Sequence, residues 1–216
     1  MSASAAAMLG SRARMSPEGT TSEAALIRET RTRAHLSATH ETRRAGEIPV
    51  AHTPPGGYGT TFPPPVLAGC ADPLVAGAPD LRGLWQVTEV EVNGAPAPKG
   101  HPAYGHVERI EQCGDRIVIT GGGVIHDMRC DGIAGHGVHD VAARDFKTQI
   151  TVVARYENGV HTLRPVGLRP RLIGLVRGGR LEVTRRRDGA DMLWSYVGFT
   201  ARLRRIGGPE ASPPPA

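Results

Sequence analysis

The feature that most limits what this chain can fold into is a run of turn signals, each about one strand apart, over residues 81–206. Asn93-Gly94, Gly114-Asp115, Gly121-Gly122-Gly123, Asp131-Gly132, Asn158-Gly159, Gly178-Gly179 and Asp188-Gly189 interrupt it in turn. Gly, and Asn or Asp before it, tolerates the positive φ of tight hairpins, and Asn-Gly is the strongest such signal. The segments between them are short and rich in β-branched residues: 106–112, 116–120, 124–130, 138–143, 148–157, 160–165, 171–177, 180–187, 192–197 and 199–206. None has the length or period of a helix. Residues 81–92 precede them as a first strand, with Leu84, Gln86, Thr88, Val90 and Val92 on one face and Trp85, Val87, Glu89 and Glu91 on the other. The expected domain is all-β. Connections short enough for hairpins favour an antiparallel up-and-down barrel of about eight to ten strands over a Greek-key sandwich, and a meander of that length closes to hide its edges.

The chain ahead of this run reads differently. Residues 1–78 alternate Ala, Ser, Thr, Arg and Glu, then turn Pro- and Gly-rich, and are expected to form a disordered extension with at most a short helix over 22–40. The barrel is expected over 79–206 and a loose Pro-rich tail over 207–216. No apolar run approaches the ~20 residues that span a bilayer, and residues 1–10 lack the apolar region of a secretory signal. Leu67-Ala68-Gly69-Cys70 has the form of a lipoprotein processing box, but no continuous apolar segment precedes it. Cys70, Cys113 and Cys130 are odd in number and match no zinc or redox spacing, so the expected compartment is a reducing cytoplasm. The net charge of +5 is uneven: residues 80–159 hold 8 Lys or Arg against 11 Asp or Glu, residues 160–206 hold 11 against 3. The basic half lacks the interleaved exposed aromatics that single-stranded nucleic acid stacks on, so no nucleic-acid partner is expected.

Gly83-Leu84-Trp85 opening the first strand, the meander of hairpins and the Arg202 and Arg204 pair on the last strand resemble the lipocalin and calycin barrels. The resemblance covers about residues 80–206 and is one of fold. It implies structural roles for Gly83 and Trp85, with Arg202 or Arg204 packing over the Trp at the closed end of a lipocalin-like barrel. The Gly-rich opening of the haem-binding nitrobindin barrels is not present, and no cofactor is expected.

Candidate site residues follow from strand phase. On 124–130, Val124, His126, Met128 and Cys130 share a face, so an inward phase places His126 in a mostly apolar space, where its proton is easily moved through neutrality. Tyr156, His161, Arg164, Trp194 and Tyr196 supply further polar and aromatic groups, with His161 and Arg164 on opposite faces of one strand. A metal set of His126, Cys130, His136 and His139 matches no established spacing, so no metal is expected. Arg185-Arg186-Arg187 reads as a solvated strand end, or else as an anion clamp at the barrel mouth.

The leading expectation is a barrel that binds a small, largely apolar or amphipathic molecule through His126, Tyr156, His161, Arg164, Trp194 and Tyr196. One alternative is a cofactor-free cyclase, isomerase or hydratase with His126 as acid and base. This fits the Ala-, Arg-, Gly- and Pro-rich composition of a high-GC bacterial genome, where such barrels serve biosynthesis. A further alternative is a structural or partner-binding module with a packed interior, and a homodimer is left open.

Overall fold

The computed structural model describes residues 42–166 and 182–213. Ten strands form one antiparallel path: β1 (Gly83–Val92), β3 (Val107–Cys113), β4 (Arg116–Gly121), β5 (Val124–Arg129), β6 (Val138–Val141), β7 (Gln149–Glu157), β8 (Val160–Pro165), β9 (Val183–Asp188), β10 (Asp191–Tyr196) and β11 (Phe199–Gly207). A two-residue β2 (Ala95–Pro96) folds back on β1. Among the described residues the only helical turns are two 3-10 turns, Ala45–Glu47 and Ala134–His136. The order β5-β4-β3-β1-β11-β10-β9-β8-β7-β6 is a meander in which the last strand returns to the first. Its two ends, β5 and β6, face each other across a seam. At the seam the Tyr156 N–H donates to the Cys130 carbonyl at 3.3 Å and the Gly132 N–H to that of Ala154 at 2.9 Å. The result is the expected all-β, nearly closed antiparallel barrel, compatible with a calycin-like architecture. The helix expected over 22–40 and the strand expected over 171–177 lie outside the described residues.

Strand β1 departs from simple alternation. Trp85, Val87, Val90 and Val92 all join the interior cluster, because a register shift between Val87 and Glu89 adds one residue against β11 and reverses the phase. Thr88 is thereby turned outward, where its hydroxyl meets the Arg202 carbonyl.

At the closed end the Trp85 indole N–H donates to the Leu81 carbonyl at 2.7 Å. Gln112 accepts from the Leu81 N–H and donates to Pro79, so residues 79–81 plug the barrel floor. Gly83 has φ 152°, and a Cβ there would lie 2.7 Å from Arg205 Nε. The guanidinium over Trp85 comes from β9, Arg187 at 4.9 Å from the ring centroid. This corrects the assignment to Arg202 or Arg204: Arg202 points outward to Glu89, Asp188 and Asp191, and Arg204 is exposed.

The described part of the expected extension is not loose. Residues 42–72 run as a strap over the outer face of β3–β5, where Ala45, Ile48 and Leu67 pack on Cys113, Val118 and Ile125. Composition hid this because the strap is held largely by polar contacts. Arg116 donates to Asp127 through two nitrogens at 2.8 and 2.6 Å and to the Ala45, Ile48 and Pro49 carbonyls. Asp127 also accepts from the Ala51 N–H, Asp140 from Thr53 and Glu111 from Leu67. A disulfide, Cys70–Cys113, ties the strap to the end of β3. The odd count and unmatched spacing of the cysteines gave no sign of this pairing, which removes the premise for a reducing compartment and leaves Cys70 no sulfur for a lipid. No described helix is long and apolar enough to cross a membrane.

Candidate functional site

Cross-strand register sets Tyr156, His161, Arg185, Trp194, Ala201 and Val90 side by side on the inner face of β7, β8, β9, β10, β11 and β1. Directly opposed same-face residues of neighbouring strands have Cβ atoms about 4.5–5.5 Å apart, so these side chains form a continuous row. From β3, Glu108 takes two hydrogen bonds from Arg185, at 2.8 and 2.9 Å. His106 stands 3.8 Å from the same carboxylate, and the Arg185 guanidinium lies 5.2 Å from the Trp194 ring centroid. Below the row the barrel is solid with Trp85, Ile110, Ile117, Met192 and Leu203, all fully buried. Above it, at the opposite end from the Trp85 floor, Trp194, Tyr196, Phe199 and His101 make edge-to-face contacts with centroids 5.2–5.6 Å apart.

The electrostatics of this row are unusual. Burial alone would raise the Glu108 carboxyl, but Arg185 and His106 outweigh it and hold it down to about 2. Burial, reinforced by the Arg185 charge, pushes His161 down to about 3, so its imidazole is neutral. His161 is 0% exposed, yet among the described residues neither of its ring nitrogens has a partner, nor do Arg185 Nη1 and Trp194 Nε1. A buried polar group without a partner costs about 1–3 kcal/mol. The other unpartnered buried atoms are the Tyr58 and Thr120 hydroxyls, and Arg109 Nε and Glu111 Oε1, which face each other at 3.3 Å.

A cavity among the described residues lies elsewhere. About 370 Å3 opens at the seam between the strap, the Arg129 end of β5 and residues 135–140. Met128, Val138, Ile48 and Ala51 give it an apolar floor, and His52, His136 and His139 stand at its rim. Its buried charges are satisfied: Asp127 by Arg116 and the Ala51 N–H, Asp140 by the Thr53 and Val141 N–H groups. Cavity and perturbed titratable groups therefore occupy different places. The cluster of unpartnered buried polar atoms on His161, Arg185 and Trp194 belongs to the inner row and not to the seam.

Of the residues singled out in the sequence, His126, Tyr156, His161 and Trp194 lie on the inner face. His126 spends Nε2 on the Val141 carbonyl at 3.2 Å across the seam, and burial lowers its pKa. The Tyr156 hydroxyl accepts from Gln112 at 2.8 Å, and burial raises its pKa well above the ordinary value. Tyr196 is 48% exposed at the rim. Arg164 is on the outer wall, paired with Glu182 at 2.6 Å, and does not meet the others. The run at 185–187 is not a solvated end: Arg185 and Arg187 point inward and only Arg186 faces water.

Glu108 and His106 escaped the sequence reading, and Arg185 entered it only within the run at 185–187, not as an inner-face partner of a carboxylate. Val183, Arg185 and Arg187 do share a strand phase, but alternation alone gives no sign that Arg belongs inside until Glu108, 77 residues away, supplies its counter-charge. The four proposed metal ligands stay apart, with His136 on Asp131 and His139 on the Ala134 carbonyl. The only described His, Cys, Asp or Glu group of metal-binding closeness is Cys70, Asp72 and Cys113, whose sulfurs form the disulfide. Compared with known families, with curated proteins and with solved structures, the chain matches none.

Proposed function

We propose that this protein binds a small, largely apolar molecule in the rim-side half of the barrel, its apolar body against Trp194, Phe199 and Val92 and its polar end at His161 and Arg185. The observation that carries this is the set of unpartnered atoms on His161, Arg185 and Trp194 beneath an aromatic rim. Trp194, stacked on Arg185 and only partly buried, stands at the entrance. His126 has one nitrogen engaged with Val141, so its part is to hold the seam and turnover is not required of it. Titration with the neutral fluorescent probe N-phenylnaphthylamine tests the reading. Saturable enhancement is expected, weakened at least tenfold in His161→Phe and Trp194→Ala, together with a co-purifying small molecule in native mass spectra. Absence of saturable binding defeats it.

A second reading is favoured by the seam cavity: a ligand or partner segment held between strap and barrel, with the interior purely structural. Gly46 and Gly135 line that cavity, have no positive φ, and a Cβ on either meets nothing within 4 Å. Gly135→Trp therefore blocks the cavity without straining the fold. Loss of probe binding in this variant, with His161→Phe unaffected, moves the site to the seam.

A further inference from the structure

We infer that the buried end of the ligand is uncharged and presents an oxygen acceptor, as a ketone, amide or hydroxyl does, and is not a carboxylate or phosphate. This rests on the inner row being the ligand site and adds what that site selects. Of the four unpartnered atoms, Arg185 Nη1 and Trp194 Nε1 can only donate. The His161 ring, neutral in this setting, adds one donor and one acceptor. Donors outnumber acceptors three to one, so the complementary group accepts.

Its charge is set by the neighbours. The Arg185 charge is already matched by Glu108 through two hydrogen bonds, and both side chains are buried. Arg187, the next residue on that face, is turned toward Trp85 and bonded to the Gly189 and Ala190 carbonyls. A carboxylate entering here would be a second anion competing with Glu108 for one guanidinium, in surroundings where an unmatched charge is heavily penalised. A neutral oxygen takes the spare Nη1 and indole protons and disturbs neither partner of the pair.

Displacement of N-phenylnaphthylamine from the full chain at neutral pH by decanol, decanamide and decanoate separates the possibilities. These competitors share a ten-carbon skeleton and differ in the head. Decanol and decanamide are expected to compete at least tenfold more strongly than decanoate. In Glu108→Gln, which removes the resident anion and keeps the side-chain shape, decanoate is expected to gain on both. Decanoate equal to or stronger than the neutral compounds in the unaltered protein overturns the inference while leaving a binding site in the barrel. Failure of all three to displace a probe that does bind also overturns it. Failure of the probe itself to bind removes the site on which the inference stands.

Discussion

Three Arg–carboxylate pairs are buried among the described residues, and two of them, one under the strap and one inside the barrel, teach different things. Arg116 and Asp127, under the strap, have every strong donor and acceptor engaged: the guanidinium reaches two carboxylate oxygens and three carbonyls, and the carboxylate a further N–H. Arg185 and Glu108, inside the barrel, make the same two-pronged contact yet leave one guanidinium nitrogen idle beside an imidazole and an indole that are idle too. A saturated pair is a fastening. An unsaturated one, set beside other unpartnered donors on the inner wall, is where the proposed ligand would bind.

That contrast can be broken first where the effect is largest. Arg116→Met strands Asp127 and frees three strap carbonyls, with an expected loss of about 3–5 kcal/mol in urea unfolding and early proteolysis in residues 42–72. Cys70→Ser opens a loop closed across 43 residues and is expected to cost about 2–4 kcal/mol, matched by the unaltered protein under a thiol reductant. If neither change affects ligand binding, the strap is a fastening only.

The inner pair is probed more gently by pH. Between the ordinary His value near 6.5 and about 3, the unfolded chain binds a proton at His161 that the folded chain does not, so stability falls as pH falls through that window. Between the ordinary Glu value of 4.5 and about 2, Glu108 adds a second loss of the same sign. Stability followed by urea titration across this range is expected to decline in two steps. His161→Phe is expected to remove the upper one, and an unchanged acid profile in that variant contradicts the assignment.

At neutral pH His161→Phe exchanges an unsatisfied ring for an apolar one of similar shape, so unfolding is expected to shift by under about 1 kcal/mol while probe affinity drops. The smallest effect is reserved for Gly135→Trp, expected to leave both stability and probe affinity unchanged. Any loss of affinity there places the ligand at the seam.

Much of the barrel was legible because its information is local. Asn158-Gly159 closes β7 to β8 in the register that its own residues dictate, and Val160–Pro165 begins and ends where the pattern of residues says it should. His161 and Arg164 divide between inner and outer faces for the same reason. The site was less legible. His161 and Trp194 are visible as inward residues, but no periodicity says that they adjoin, since β8 and β10 are neighbours only through β9.

The amino-acid sequence by itself determined most of the strands and the tight turns between them, because hairpins are built from residues close in the chain; that β8 pairs directly with β9 was not among its readings. Tertiary structure alone decided which arginines go inside, where β1 reverses its faces, which cysteines pair and that the strap is packed. Each of these depends on a partner dozens of residues away, such as Glu108 for Arg185 or Cys113 for Cys70. Charge, unlike hydrophobicity, shows its place in a fold only when its partner is in view.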